Sequence, residues 1–249
     1  MKDSFTFGIP LIAADAAQNW HRIDQLLRAT LRSLRGQDDQ DFRVLVVGND
    51  RPACWAEVEK DDRFTFVSLK DSPEAPTDAN DDAGVKRWII RKRVRDQGGG
   101  LLMLFDADDV IDRRTVACAK AHIRGNVRAA VVANGVAIDW RSGDCIALPH
   151  PEVFQGAFHK LCGSSTIARI LPDDDPFGQL GSHHLWPENA AAQGITLERL
   201  PLWGGYMVNT RQNHSELHGP FAEWRHDFNK GVREYGSQIP AALQDLLSI

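Results

Sequence analysis

Three aspartates follow an apolar run near the middle of the chain, and their spacing suits the binding of a cation. Leu101–Phe105 (LLMLF) leads directly into Asp106, Asp108 and Asp109 of the sequence DADD. Residues two apart in a strand point to the same side, so Asp106 and Asp108 are expected to face one ligand, with Asp109 available to cap the next helix. Carboxylates this close repel unless a cation compensates them. Mg²⁺ or Mn²⁺ suits such oxygen ligands, particularly when a diphosphate supplies the others. Taken alone, a D-x-D motif more often marks a strand end at Asp106 with Asp108 or Asp109 as an ordinary helix cap, and the apolar strand before it and the other motifs favour the cation.

The elements around these aspartates alternate between strand and helix signals. Alternation of this kind predicts parallel strands in a sheet that helices cover on both faces. Right-handed crossovers then bring the strand ends to one edge, where open α/β sheets bind their ligands. The predicted strands are Phe5–Ile12, Phe42–Val47, Phe64–Leu69 and Leu101–Phe105, and the predicted helices are Trp20–Gly36, Cys54–Lys60 and Val85–Gln97.

The pattern changes after Gly125, where an irregular and mixed half begins. A hairpin is predicted because Ala129–Trp140 and Cys145–Leu148 flank the turn sequence Arg-Ser-Gly-Asp. A helix over Leu185–Gln193, a strand over Leu202–Thr210, and a helical stretch from Asp227 that Pro240 interrupts complete this half. Phe221–Tyr235 is amphipathic and is predicted to face the core, with a membrane surface as the alternative.

Composition excludes several classes of function. The net charge of -5 and the pI near 6.0 argue against nucleic acid as a partner. No run of eighteen apolar residues is present, so no transmembrane segment is expected. The four cysteines form no CxxC pair, which favours a reducing, cytoplasmic location.

The order FTFGIPLIAAD, helix, FRVLVVGND, basic helix, LLMLFDADD resembles the GT-A fold of glycosyltransferases, and within it glycosyltransferase family 2. The resemblance covers roughly Phe5 to Ser215, although each motif alone is degenerate. It implies a single GT-A-like α/β domain over 1–249, with a mainly parallel central sheet. Residues 1–125 would bind the nucleotide sugar, and 126–249 would face the acceptor. The implied activity is a metal-dependent, inverting transfer of a sugar from a nucleoside diphosphate to an acceptor hydroxyl of a carbohydrate or another compound.

The resemblance also assigns roles to individual residues. Asp106 and Asp108 would bind Mn²⁺ or Mg²⁺, completed by His214, with His218 as a competing candidate. The donor nucleotide and its diphosphate would contact Pro10 at the end of the first strand and Asp50 at the position of the family's Asp pair. They would also contact Lys86 and Arg87 at the start of the basic helix, and Asp106 of the metal motif. The Asp71–Gly84 segment would close over the donor, and Cys162–Arg169 would face the acceptor.

The sequence departs from the family at the general base. Where the family usually places an acidic pair before a helix, this chain has His183 and His184, with Glu188 one turn further on. A histidine whose pKa lies near 6.5 is able to take a proton from an acceptor hydroxyl. His184, His183 and Glu188 are therefore the catalytic candidates. Alternatively, the histidines are an ordinary helix start, and the base is Glu188 or Asp175, or is absent.

Two other classes of function stay open. A haloacid-dehalogenase-type phosphohydrolase would use Asp106 as its nucleophile and Asp173–Asp175 as a later acidic motif. A protein of the same fold that binds a nucleotide or glycan without turnover would explain the missing acidic base.

Overall fold

A computed structural model describes residues 4–71, 82–212 and 221–249. The strands in these ranges are β1 Phe5–Pro10, β2 Arg43–Gly48, β3 Phe64–Ser68, β4 Gly100–Leu104, β5 Val110–Ile111, β6 Val127–Asp139, β7 Asp144–Leu148, β8 Thr166–Ile170, β9 Thr196–Val208 and β10 Ser237–Gln238. The helices are α1 Trp20–Arg35, α2 Asp82–Asp96, α3 Thr115–His122, α4 Pro176–Leu180, α5 Trp186–Gln193, α6 Ala222–Tyr235 and α7 Ala241–Leu247. Among these helices, none is both long and apolar enough to cross a membrane.

The first half of the sheet is parallel, as the sequence predicts. Its strands lie in the order β3-β2-β1-β4, and each neighbouring pair is parallel. Gly8 of β1 aligns with Leu45 of β2 on one side and with Leu104 of β4 on the other. The carboxyl ends of these strands therefore share one edge, and the loops that follow β1, β2 and β4 all begin there.

Helices cover both faces of this sheet. Successive strand residues alternate between the two apolar clusters: in β2, Val44 packs on the face that contacts α1, and Leu45 packs on the face that contacts α2. On the α2 face Gly8 has no side chain, and a Cβ atom there would come within 2.3 Å of Ile90 Cγ2. The glycine lets α2 lie close on β1, which fixes where the first turn of α2 meets the carboxyl edge.

The second half joins the same sheet through antiparallel strands. β8 pairs antiparallel with β4, and β6 forms the predicted antiparallel hairpin with β7. The 13-residue strand β9 runs parallel to β6 and also pairs with β5. The α/β class with a parallel first half and a mixed second half is thus confirmed. β9 begins at Thr196, six residues before the predicted Leu202. The sequence pattern does not mark these first residues as a strand, because most of them are exposed or only partly buried and two of them carry charged side chains.

Two expectations about element ends are corrected. Asp109 does not cap the next helix: α3 begins at Thr115, and the carboxylate of Asp112 accepts the Arg114 backbone N–H just before it. The C-terminal helix starts earlier than Asp227, at Ala222, and it ends at Tyr235 rather than at Pro240. Because β10 follows at Ser237–Gln238, the chain has already left the helix before the proline. The core-facing side of this helix is confirmed by its buried residues Arg225, Phe228, Asn229 and Val232.

Candidate functional site

The three aspartates form a tight turn between β4 and β5 at the carboxyl edge. The Asp109 backbone N–H donates to the Asp106 carbonyl oxygen over 3.4 Å, which closes the turn. The Asp106 side chain is 40% exposed and Asp108 is partly buried, whereas only 1% of Asp109 is exposed. Two aspartates of the turn are therefore partly exposed, and the third is buried in the protein.

Asp109 is the buried residue of this turn. Its carboxylate accepts the Met207 backbone N–H and the Cys162 thiol, each over 3.3 Å. Burial raises the pKa of Asp109 to about 7, and the negative charge of Asp106 adds to the rise. The buried carboxyl links the acidic turn to β9 and to the segment before β8, both of which come from the second half of the chain.

The segment Cys162–Ser165 lies directly beside the acidic turn. The Asp106 backbone N–H donates to Ser164 Oγ over 2.7 Å. A Cβ atom on Gly163 would lie 3.1 Å from Asp106 Oδ2 and 3.9 Å from His183 Cδ2. Gly163 thus leaves room for two side chains of opposite chemistry, the Asp106 carboxylate and the His183 imidazole, to approach the same point.

His183 is fixed by a backbone contact. Its Nδ1 lies 2.6 Å from the His159 carbonyl oxygen, and because a carbonyl only accepts, the proton is assigned to Nδ1. Burial lowers the pKa of His183, although the contact with His159 and the charge of Asp106 act in the opposite direction. The ring is therefore neutral at pH 7, with Nε2 as an unprotonated acceptor.

The other two base candidates have different surroundings. His184 is exposed, and its Nδ1 lies 2.8 Å from Ser182 Oγ. Glu188 is exposed and pairs with Lys160 over 3.2 Å. A backbone hydrogen bond at its own position and the Lys160 ammonium lower the pKa of Glu188, which weakens it as a base. Of the three, His183 is the candidate that the structure brings to Asp106.

The two basic residues near the start of α2 differ in burial and in their partners. The Arg87 side chain is 47% exposed, and its Nη2 lies 3.8 Å from Asp106 Oδ1. Lys86 is fully buried, and its ammonium pairs with the carboxylate of Asp82. Arg87 is thus beside the acidic turn, whereas the charge of Lys86 already has a partner within α2.

The expected nucleotide contacts lie at the same edge. Pro10 ends β1 opposite Val47 and is partly buried. Asp50 is exposed just after β2, and its Oδ2 accepts the Ala14 backbone N–H over 2.9 Å. This contact ties the loop after β1 to the loop after β2. The role of either residue in nucleotide binding stays a prediction.

Within the described ranges, no group of three or more His, Cys, Asp or Glu side chains is arranged to hold a metal ion. The role of Asp106 and Asp108 as metal ligands stays a prediction. His214 and His218 lie outside the described residues, as does most of the Asp71–Gly84 segment. Two carboxylates suit a metal such as Mg²⁺, which commonly takes one or two protein carboxylates and completes its shell with substrate phosphates and water.

The later acidic motif lies at the opposite edge of the sheet. Because β8 is antiparallel to β4, its end at Ile170 aligns with Gly100, the first residue of β4. Beyond it, Asp175 caps α4 and pairs with Arg91 of α2 over 3.3 Å. Asp174 pairs with Arg128. These carboxylates are therefore separated from Asp106 by the length of β4, which argues against Asp175 as the base and against a shared phosphohydrolase site.

Two residues near the site were not singled out from the sequence. His159 is 1% exposed, neither of its ring nitrogens has a hydrogen-bond partner within the described ranges, and burial lowers its pKa to about 4. Arg225 is buried on α6 beside Tyr206. His159 lies in a stretch without periodicity, and Arg225 is one of several charged residues on an amphipathic helix. No local sequence signal therefore marks either residue as functional.

Comparison with known proteins gives similarity to solved structures only. No family model matches the chain, and no curated protein matches it. The chain is similar to a 4-diphosphocytidyl-2C-methyl-D-erythritol synthase (8% identity, TM-score 0.43, covering 92% of this chain and 99% of that one). It is also similar to the inositol-1-phosphate CTP transferase from T. maritima (9%, 0.42, 93% and 98%). A third is the glycosyltransferase GlyE of Streptococcus pneumoniae (12%, 0.38, 99% and 53%). Similarity at this level does not carry an activity over to this chain.

Proposed function

We propose that the protein is a glycosyltransferase that moves a sugar from a nucleoside diphosphate to an acceptor hydroxyl. One arrangement carries the proposal: at the carboxyl edge, the Arg87 cation lies 3.8 Å from Asp106 Oδ1, and the neutral His183 imidazole and Asp106 Oδ2 both border the space beside Gly163. A diphosphate leaving group needs positive charge, and an attacking hydroxyl needs a base. Both kinds of group approach the same carboxylate.

The donor side consists of the acidic turn and Arg87. Asp106 and Asp108 would hold Mn²⁺ or Mg²⁺, and the bound ion would neutralise charge on the departing diphosphate. The Arg87 guanidinium would bind a phosphate oxygen, since its side chain is half exposed and only weakly held by Asp106 at 3.8 Å. Pro10 and Asp50 would contact the nucleoside, with Lys86 supporting the start of α2 from within.

The acceptor side centres on His183. Its Nδ1 proton is held by His159, so Nε2 would take the proton of the acceptor hydroxyl as the oxygen attacks the sugar carbon. The departing diphosphate carries away the electron pair of the broken glycosidic bond. Attack on the face opposite the leaving group would invert the anomeric carbon, and this part of the proposal rests on the resemblance to family 2.

The proposal extends to the setting of the reaction. All four cysteines are free in this structure, which supports a reducing compartment such as the cytoplasm. The partners would be the nucleotide-sugar donor and a carbohydrate or other hydroxyl acceptor.

A donor screen tests the activity. Wild-type protein, Asp106→Asn and Asp108→Asn would each be incubated with UDP-, GDP-, dTDP- and CDP-sugars and Mn²⁺, and the release of nucleoside diphosphate would be followed. We expect release from one donor class with wild type, and a loss of at least about 100-fold in both variants, because each removes a charge that binds the ion. Release of pyrophosphate from a nucleoside triphosphate, or of free phosphate with a phospho-aspartate at Asp106, would instead indicate nucleotidyl transfer or phosphohydrolysis.

A further inference from the structure

A buried guanidinium lies on α6. Arg225 is 8% exposed, and its Nε and Nη1 atoms are buried with no hydrogen-bond partner among the residues that the structure describes. Within residues 4–71, 82–212 and 221–249, no carboxylate forms an ion pair with it. A buried charge is costly unless it is paired and hydrogen-bonded. The position therefore favours any group that brings negative charge and hydrogen-bond acceptors.

Aromatic rings surround this charge on several sides. Arg225 Cζ lies 5.0 Å from the ring centroid of Trp224, 5.3 Å from Tyr206 and 5.8 Å from Phe228. Cation–π contacts of this kind offset part of the cost of burial. They supply no oxygen for the N–H groups, so the one proton on Nε and the two on Nη1 still lack an acceptor in the described part of the chain.

Tyr206 connects this charge to the acidic turn. It lies on β9 one residue before Met207, whose backbone N–H donates to Asp109. Burial raises the pKa of Tyr206, and the negative charges of Asp109 and Asp108 add to the rise, while Arg225 acts against it. The charges of the acidic turn and of Arg225 therefore both act on the Tyr206 hydroxyl. Arg225 thus lies in the surroundings of the proposed transfer site.

We propose that Arg225 binds an anionic group, a carboxylate or a phosphate, carried by the acceptor; this inference rests on the proposed glycosyl transfer. A planar guanidinium pairs with such oxyanions through two parallel N–H donors, which fixes orientation as well as charge. The group would enter past Trp224, which is 40% exposed, since Tyr206 and Phe228 are almost completely buried. The acceptors would then be acidic glycans or phosphate-bearing hydroxyl compounds.

Small anions test the site on the full chain without metal. Thermal unfolding would be followed with millimolar inorganic phosphate or acetate at constant ionic strength, in wild type and Arg225→Gln. Arg233→Gln is the matched control, because Arg233 is exposed on the same helix and loses the same charge. Arg87→Gln reports any anion that binds on the donor side instead.

We expect at least one anion to raise the unfolding temperature of wild type, Arg233→Gln and Arg87→Gln by several degrees, and that of Arg225→Gln by none. Stabilisation by phosphate alone indicates a phosphate-bearing acceptor, and stabilisation by acetate as well indicates a carboxylate. No stabilisation of wild type, equal stabilisation of Arg225→Gln, or a loss confined to Arg87→Gln overturns the inference. If Arg225→Gln does not fold, anion-dependent tryptophan fluorescence in wild type and its absence in Trp224→Phe decide the same question.

Nucleotide binding separates this inference from the proposed function. Arg225→Gln should keep its stabilisation by a nucleoside diphosphate with Mn²⁺, because Arg225 is not on the donor side. If an anion binds at Arg225 but no nucleotide binds to any variant, the anion site is supported and the proposed glycosyltransferase activity is contradicted. If a nucleotide binds but no anion stabilises the protein through Arg225, the anion site is contradicted and the nucleotide site is supported.

Discussion

The Nδ1 atom of His183 lies 2.6 Å from the backbone carbonyl oxygen of His159. This contact assigns the proton to Nδ1 and leaves Nε2 as the basic nitrogen. Cδ2 of the same ring borders the space beside Gly163 that Asp106 Oδ2 also borders. A backbone acceptor cannot be removed by a side-chain change at His159. The orientation of His183 therefore depends on the fold around the 3₁₀ turn Phe158–Lys160 rather than on a neighbouring carboxylate.

Replacing His183, the proposed base, should slow transfer without weakening donor binding. We expect His183→Asn to lower the transfer rate by about 100- to 1,000-fold, the usual contribution of a positioned general base. His184→Asn is the matched control and should retain activity near the wild-type rate. Steady-state kinetics with nucleotide-affinity measurements check both.

The same base predicts a pH profile. Burial lowers the pKa of His183, so the unprotonated form persists below pH 6.5, and the acidic limb of the rate profile should lie below that value. The limb should disappear in the residual activity of His183→Asn. An unchanged limb in that variant, or an equal loss in His184→Asn, would contradict the assignment.

Ser164 should support the geometry of the acidic turn. Ser164→Ala removes the acceptor for the Asp106 backbone N–H, and we expect the affinity for nucleotide with Mn²⁺ to fall about tenfold, as for other residues that orient metal ligands. Ser165→Ala is the matched control because its buried hydroxyl donates to the Cys162 carbonyl rather than to the turn. Both variants should lose about 1 kcal/mol of stability, and equal affinities in the two would refute the role of Ser164.

Asp109 should make the protein less stable as the pH rises toward neutrality. Its folded-state pKa is about 7 against an ordinary value of 3.8, so between these values the folded protein holds a proton that the unfolded chain releases. The free energy of unfolding therefore falls as pH rises through this window. Asp109→Asn should be more stable than wild type above pH 7, by on the order of 2–4 kcal/mol, with little advantage at pH 4. Denaturant titrations across pH 4–8 measure the difference, and a constant offset at all pH values would argue against the shift.

His159 should act in the opposite direction over much of the same window. Its folded-state pKa is about 4 against an ordinary 6.5, so the unfolded chain gains a proton first as pH falls, and stability is lost between pH 6.5 and 4. His159→Leu should keep about 2 kcal/mol more stability than wild type at pH 5, relative to pH 7. His122→Gln, on an exposed position of α3, is the control that should change nothing. If His159→Leu and His122→Gln lose stability in parallel at pH 5, His159 is not the cause.

The sequence predicts the parallel half of the fold well because its signals are local. Continuous apolar runs such as Leu101–Phe105 and the apolar stripe of α1 are each set by neighbouring residues. The hairpin of β6 and β7 is predictable for the same reason, since its turn residues stand between two apolar strands. The start of β9 is less predictable, because pairing with β6 rather than local composition holds its first residues in a strand. β6 lies some seventy residues earlier in the chain.

The site is less predictable because its residues are assigned by distant contacts. Nothing in DADD tells which carboxylate turns inward, and Asp109 does so because Met207 and Cys162 meet it there. Likewise the packing of α2 on Gly8 decides that Arg87 is exposed and Lys86 buried. The sequence does not distinguish His183 from His184, because the difference lies in the contact of His183 Nδ1 with the His159 carbonyl oxygen.

The most direct measurement is thermal stabilisation by nucleoside diphosphates. Wild type, Asp108→Asn and Asp173→Asn would be unfolded with UDP, GDP, dTDP or CDP, each with and without Mn²⁺. Asp173 is the matched control because it is exposed at the opposite edge of the sheet and loses the same charge. We predict that one nucleotide stabilises wild type and Asp173→Asn only with Mn²⁺, and that Asp108→Asn loses this effect. No stabilisation of wild type by any nucleotide, or stabilisation that Asp108→Asn retains in full, would contradict a metal–diphosphate site at the acidic turn.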